Sequence, residues 1–195
     1  YSNSVFGDVK SIAYSQFSFQ KGDEVLPIPG QVAENYYLPN ESSQLDSAVL
    51  YLKFSKVYGE PTFDEQEITI SQIEDTLFSS ALYISSRYVE LSPSIGQIGF
   101  TRFKTLNTDT FLTVPIKDFY GKSILNRLID DVGIVELIDQ TRGLAFVPGE
   151  NNSQLVSFDL DHEDSKFILY FNNPEEGNAY SPADDSLQYV FRFNS

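Results

Sequence analysis

The sequence predicts an all-β fold, an antiparallel β-sandwich of about nine or ten short strands with one inserted helix. Short stretches with alternating apolar and polar positions recur along the chain, each bounded by Pro, Gly, Asn or Asp. Phe and Tyr, which pack well on a pleated surface, occur 16 and 12 times. Only one stretch changes to helical spacing, so strands and helices do not alternate as they would around a parallel sheet.

The central strand is predicted over residues 46–55. Its apolar side chains fall on alternate positions, at Ala48, Leu50, Leu52 and Phe54. A slip of one residue would move all four side chains into water, so the register of this strand is well specified.

The other predicted strands lie on both sides of the central one, and no break divides residues 1–195 into more than one domain. They cover residues 12–19, 68–73, 81–85, 97–103, 111–116, 142–147, 154–160, 166–171 and 187–193. Residues 24–43 are predicted to be a long loop with at most one short strand. Pro115 has no N–H for a ladder, so its strand is expected to lie at a sheet edge or to end there.

The one predicted helix lies near residues 117–131 and covers one end of a sheet. Its apolar side chains recur at helical spacing, at Tyr120, Ile124, Leu125, Leu128 and Ile129. Asp118 is the expected N-cap, and Gly133 is expected to end the helix.

Composition excludes several classes of function. The chain has no cysteine, which rules out disulfides, thiolate metal sites and thiol nucleophiles. Its 28 acidic and 13 basic residues give a net charge of −15, which disfavours nucleic acids and anionic lipid surfaces as partners. No apolar run approaches the ~20 residues of a membrane-spanning helix. Because the chain starts at Tyr1 and has no Met, we expect a mature or excised chain from which a targeting segment or anchor can have been removed.

Carboxylates alternate where one predicted strand ends, at Asp159, Asp161 and Glu163, with Asp164 beside them. Ca²⁺ prefers hard oxygen ligands, so these side chains are candidate ligands, although the EF-hand spacing and its glycine are missing. The alternative is a solvated hairpin loop in an acidic protein. His162 is the only histidine, and without a cysteine or a second histidine it is interpreted as a surface residue.

Tyrosines beside Asn, Glu and Asp in predicted loops are candidate contact residues. They are Tyr36, Tyr37, Tyr58 and Tyr180. We rank protein contact first, packing within the loops second and sugar binding third. Adjacent carboxylate pairs occur along the chain, but they do not specify the opposed geometry of a glycosidase, so no catalytic residue is assigned.

Several short motifs follow one another along the chain. They are Val5-Phe6-Gly7-Asp8, Asp46-Ser47-Ala48-Val49-Leu50-Tyr51-Leu52, Tyr58-Gly59, Ser94-Ile95-Gly96, Phe119-Tyr120-Gly121, Arg142-Gly143-Leu144 and Phe167-Ile168-Leu169-Tyr170-Phe171. In this order they resemble an uncharacterised family of Bacteroidota outer-membrane surface lipoproteins. The same layout looks like the jelly-roll domains of cell-surface and carbohydrate-binding proteins, which implies a jelly-roll-like β-sandwich but no ligand.

This resemblance implies an exported protein at the outer membrane, the cell surface or the periplasmic face, held there by a lipid anchor or a partner that this chain does not contain. It also implies O-glycosylation at Asp followed by Ser or Thr, with Thr76 and Ser186 as the favoured sites. The predicted function is a non-enzymatic binding or assembly subunit of an envelope protein complex, with no cofactor unless Ca²⁺ binds. A carbohydrate-binding module is the second hypothesis for the function, and a glycan hydrolase is the third.

Overall fold

The computed structural model describes residues 2–3, 7–8, 10–18, 39–59, 63–74, 89–105, 111–130, 136–137, 141–173 and 187–194. Within them the elements are β1 (Ser2–Asn3), β2 (Gly7–Asp8), β3 (Ala13–Ser18), β4 (Gln44–Tyr58), β5 (Gln66–Gln72), β6 (Gln97–Phe103), β7 (Phe111–Ile116), α1 (Asp118–Ile129), β8 (Leu144–Pro148), β9 (Leu155–Asp159), β10 (Lys166–Asn172) and β11 (Leu187–Asn194). The predicted all-β class with one short helix is confirmed. The predicted strand at 81–85 and most of the loop at 24–43 lie outside the described residues.

Nine of the described strands form one continuous antiparallel sheet, and β1 and β2 form a separate antiparallel pair. The order of the nine is β10, β11, β3, β8, β5, β6, β7, β4 and β9, with an additional pairing between β10 and β4. That additional pairing closes eight of the strands into a ring, outside which β9 extends along β4. The two-sheet arrangement of a jelly roll stays a prediction, because the nine strands from β3 to β11 belong to a single hydrogen-bonded sheet.

The central strand is β4, as the sequence predicted, although it is longer at both ends. Its even-numbered side chains from Ala48 to Phe54 point into the ring and are buried. β10 and β7 pair with opposite edges of its first half, and β9 pairs with its second half. The alternation that set the register therefore belongs to the strand with the most neighbours.

The helix α1 covers one end of the ring. Tyr120, Ile124 and Leu125 are buried, and they join the core cluster that the inward side chains of the strands form. An added Cβ at Gly121 would lie 2.9 Å from the Cβ of Ala48, so the helix backbone rests almost directly on β4.

The predicted N-cap of α1 is wrong. Lys117 has extended backbone angles of φ −62° and ψ 137° and is the N-cap, with no capping hydrogen bond from its side chain. Asp118 instead occupies the first turn, where its carboxylate favourably faces the positive end of the helix dipole.

A second, smaller apolar cluster lies on the outer side of β5 and β8. Ile73, Val89 and Ala145 are buried there, and Leu91 packs against them through its bridge to Ile73. The chain's own connection around residues 89–91 therefore covers this outer face. None of the described residues forms a helix that is both long and apolar enough to cross a bilayer.

Candidate binding surface

β9 and β10 lie end to end along the same edge of β4. Lys53 pairs with Phe111 of β7 on one edge and with Asp159 of β9 on the other. Tyr51 likewise pairs with β7, and on its other edge with Lys166 of β10. Residues 160–165 therefore leave the ladder and rejoin it, and the predicted hairpin loop is wrong because β9 and β10 do not pair with each other.

We call residues 160–165 the excursion. Ser165 connects the excursion to β4 through hydrogen bonds. Its buried hydroxyl accepts a hydrogen bond from the Lys53 N–H at 2.9 Å and donates one to the carbonyl of Asp159. The Ser165 N–H also donates to the carbonyl of His162 at 2.8 Å. The Ser165 hydroxyl thus takes the place of the backbone carbonyl that a continuous neighbouring strand would supply, and the Lys53 N–H keeps an acceptor.

The predicted Ca²⁺ ligands all lie in or beside the excursion. The Asp159 carboxylate accepts a hydrogen bond from the Asp161 N–H at 3.2 Å, and Arg192 donates to the backbone carbonyl of Glu163 at 3.2 Å. Within the described part of the chain, which includes all of 159–165, no three or more His, Asp or Glu side chains are grouped to hold a metal ion. Ca²⁺ binding stays a prediction.

His162 is half-buried within the excursion and makes local contacts. Its Nδ1 accepts a hydrogen bond from the Asp164 N–H at 3.1 Å and lies 3.5 Å from the Asp164 carboxylate. These hydrogen bonds between near neighbours account for the shape of the turn.

The outward side chains of β9, β10, β4 and β7 form rows, because residues directly opposite each other in neighbouring strands share a face. The rows are Asp159–Lys53–Phe111, Lys166–Tyr51–Thr113 and Ile168–Val49–Pro115. On β7 all three outward side chains are exposed, whereas Ile168 is buried. The open part of this face therefore lies over β7 and the adjoining half of β4.

Three aromatic rings dominate this surface, and we call Tyr51, Phe111 and Tyr170 the outer aromatic face. Phe111 is 46% exposed, and its ring meets the Tyr51 ring edge to face with centroids 5.3 Å apart. The hydroxyls of Tyr51 and Tyr170 lie 3.0 Å apart, so these two side chains lean towards each other across the Val49–Ile168 pair. Desolvation, and then the hydrogen bond with Tyr51, raises the pKa of the Tyr170 phenol.

Of the predicted contact tyrosines, Tyr58 is described and lies 49% exposed at the end of β4 that is remote from α1. The other predicted residues, Tyr36, Tyr37, Tyr180, Thr76 and Ser186, lie outside the described residues. Sequence reasoning missed the outer aromatic face, because loop position was used as the signal for contact. The usable signal was the odd-numbered series of β4, which places Tyr51 opposite the core side chains.

Comparisons with protein-family models, with curated proteins and with solved structures found no match to this chain.

Proposed function

We propose that this domain is a non-catalytic binding and assembly subunit of an exported, envelope-associated protein complex, with the outer aromatic face as its contact surface. The observation that supports this proposal is the exposed Phe111 ring, which stands on a sheet face with a second aromatic ring packed against its edge. Aromatic side chains are enriched at the centres of protein interfaces and supply much of their binding energy.

The contrast between the two outer faces of the ring adds to this argument. Over β5 and β8 the chain buries Ile73, Val89 and Ala145 beneath its own connection. Over β7 the exposed series includes Phe111 and Pro115. An uncovered apolar surface beside a covered one is typical of a site that a partner covers.

The location in the envelope rests on the resemblance to outer-membrane surface lipoproteins. The net charge of −15 adds an expectation about the partner, whose contacting region should be less acidic than this domain. Association should then slow as ionic strength rises, because screening weakens long-range attraction between opposite charges.

The proposal is tested by affinity capture from detergent-solubilised envelopes, with the native domain as bait. We expect a stoichiometric membrane partner, and about tenfold weaker capture by Phe111→Ser, because hot-spot aromatics at interfaces commonly contribute this much or more. Phe63→Ser is the matched control, since Phe63 is 79% exposed and lies outside β7, β4 and β10. Recovery of a lone monomer, or equal losses from both variants, would contradict the proposal.

A carbohydrate-binding module is the second candidate, and the paired hydroxyls of Tyr51 and Tyr170 favour it. They place two hydrogen-bonding groups on the same face as the Phe111 ring, a combination of apolar and polar groups suited to a sugar. A glycan array with and without Ca²⁺ separates the candidates. Saturable glycan binding that Phe111→Ser abolishes would favour the module over the assembly subunit.

A further inference from the structure

The ring of strands has one weak seam, between β6 and β7. β7 pairs with β4 along its whole length, from Phe111 to Ile116. Across the seam the described pairing with β6 is limited to Gly99 and Ile116, with the Lys117 N–H donating to the carbonyl of Ile98 at 2.7 Å. The described ladder pairing between β6 and β7 is therefore confined to the ends of the two strands at Gly99 and Ile116.

The direction of the backbone groups follows from that hydrogen bond. In a strand, alternate residues direct their N–H and C=O to the same edge. The backbone N–H of Lys117 points across the seam, so the backbone N–H and C=O groups of Thr113 and Phe111 do so too. On β6 the carbonyl of Ile98 points across the seam, and the backbone groups of Arg102 therefore do as well. Among the described strands, no ladder pairing reaches Thr113, Phe111 or Arg102 across the seam.

Pro115 belongs to the same alternating series. Its nitrogen therefore faces the seam and not the ladder with β4, which explains how β7 keeps its full pairing with β4 despite the proline. The sequence predicted that this strand lies at a sheet edge or ends at Pro115, and β7 ends one residue later, at Ile116. β7 is fully paired with β4, and only its edge towards β6 is largely without described ladder pairing.

In the described part of the chain, this seam has few of the features that protect a free strand edge. β7 reads Phe-Leu-Thr-Val-Pro-Ile, with no charged residue and only Pro115 to discourage pairing. Natural edges usually carry charges, bulges or covering segments, because unpaired N–H and C=O groups act as a template for another strand. An edge that the described residues leave without charges or a covering segment, next to the exposed side chains of β7, is suited to strand addition.

Cations flank the outer side of the seam, although the protein as a whole is strongly acidic. Arg102 and Lys104 follow the outward series of β6, and Lys53 lies next to Phe111 on β4. Arg102 also forms an exposed ion pair with Glu67 at 2.9 Å, a kind of contact that contributes little stability and can be shared with another carboxylate.

We propose that the β6–β7 seam binds an extended segment of a partner protein as an added strand, with apolar side chains facing the core and Asp or Glu side chains facing outwards. The carboxylates would lie next to Arg102 and Lys104 of β6, with Lys53 of β4 one strand further away, beyond β7. This inference rests on the proposed function and specifies how the assembly partner is held.

The first test uses capped hexapeptides and amide hydrogen exchange on the native protein. A peptide alternating valine and glutamate should slow exchange at the seam amides of Arg102, Phe111 and Thr113, while Phe146, already paired within the sheet, stays unchanged. We expect about tenfold weaker binding of a valine–lysine peptide, since its charges repel the flanking cations. Methylation of alternate amides on the valine–glutamate peptide should abolish binding, because an added strand needs those donors.

The second test closes the seam covalently. If the register of Gly99 and Ile116 continued, Arg102 would lie opposite Thr113, so Arg102→Cys with Thr113→Cys forms a reversible clamp in a chain that has no other cysteine. Oxidation should abolish peptide binding. Reduction should return binding to the level of the single variant Arg102→Ser, because Arg102→Cys also removes one of the flanking cations. Thr69→Cys with Val147→Cys, a directly opposed pair in β5 and β8, is the matched control and should bind in both states.

The outcomes separate this inference from the proposed function. If capture from envelopes yields a partner whose binding survives the oxidised seam clamp, strand addition is wrong and the assembly role stands. If no partner is recovered but the valine–glutamate peptide protects the seam, the assembly role is wrong. Equal binding of all three peptides, or no protection by any of them on the native protein, would overturn strand addition whether or not the cysteine variants fold.

Discussion

At the scale of single residues, Tyr120 is the side chain whose environment conflicts most with its chemistry. Tyr120 is 3% exposed in the core that the strands enclose, and its aromatic ring lies near that of Phe167. Among the described residues its hydroxyl has no hydrogen-bond partner. A buried polar group without a partner costs about 1–3 kcal/mol. The apolar spacing that predicted the helix also identified Tyr120 as a core position, but spacing does not reveal whether a hydroxyl finds a partner.

Tyr120→Phe should therefore stabilise the protein by about 1 kcal/mol, because it removes the unsatisfied hydroxyl and keeps the ring. Tyr51→Phe is the matched control, since it removes a hydroxyl that bonds to Tyr170, and it should be neutral or destabilising. Urea denaturation midpoints measure both effects. A destabilised Tyr120→Phe would indicate that the hydroxyl is satisfied in solution.

The same residue predicts a loss of stability in alkali. Burial raises the pKa of Tyr120 above its usual 10.0, and the charge of Arg127 only partly offsets this. Below about pH 10 both folded and unfolded states keep the proton, whereas above it the unfolded chain loses its proton first and the free energy of unfolding falls. Urea midpoints measured on either side of this pH should show a smaller decline for Tyr120→Phe than for the native protein, with Tyr170 still contributing.

At the scale of elements, β4 was predictable and its neighbours were not. Its alternation from Ala48 to Phe54 fixes which face is buried, and the structure has the same face buried. A period of two says nothing about which strands pair, so the sequence predicts a hairpin loop around residues 159–164, whereas the structure has an excursion along one edge of β4. The decisive group is the hydroxyl of Ser165, whose contact with Lys53 depends on residues distant in the chain.

Ser165→Ala should destabilise the protein by about 1–3 kcal/mol, because it removes this acceptor of the Lys53 N–H at a partly buried position. Asp161→Asn, at an exposed position of the same excursion, is the control and should change stability little. Chemical denaturation checks both variants, and equal midpoints for them would show that the hydroxyl does not fasten the excursion.

Packing of α1 on β4 leads to a prediction that opposes helix propensity. Gly121→Ala would gain up to about 1 kcal/mol in an exposed helix, but here the new Cβ would lie 2.9 Å from both the Cβ of Ala48 and a methyl group of Leu45. We expect net destabilisation of about 1–2 kcal/mol from overpacking. Ser123→Ala, two residues further along the helix and half-buried, should not lower the thermal midpoint comparably. A stabilised Gly121→Ala would mean that the helix can shift on β4 to make room for the new methyl group.

At the scale of the whole molecule, the all-β class followed from composition and alternation, whereas closure of the ring did not. Closure depends on β10 pairing with both β11 and β4, a choice between partners that no local pattern specifies. The outer aromatic face was missed for a related reason, since Phe111 and Tyr51 become neighbours only through the pairing of β7 with β4. The sequence thus predicts which side chains of one strand share a face, whereas strand pairing determines which of those faces lie next to each other on the protein surface.

The net charge of −15 gives a prediction for the entire fold. Self-repulsion among excess carboxylates opposes the compact state, and screening by salt weakens it. Raising NaCl from low to moderate concentration should increase the thermal midpoint by about 2–5 °C. KCl should act equally if screening is the cause, whereas a midpoint that falls with either salt would contradict the argument.

The excursion between β9 and β10 should also tolerate the insertion of additional residues. Because the chain leaves β4 after Asp159 and returns at Lys166, extra residues there would lengthen the detour and leave the register on both sides unchanged. Doubling the length of such a loop costs only about 0.6 kcal/mol of closure entropy. An epitope, tag or whole guest domain could be displayed at this point, beside the strand that carries Tyr51.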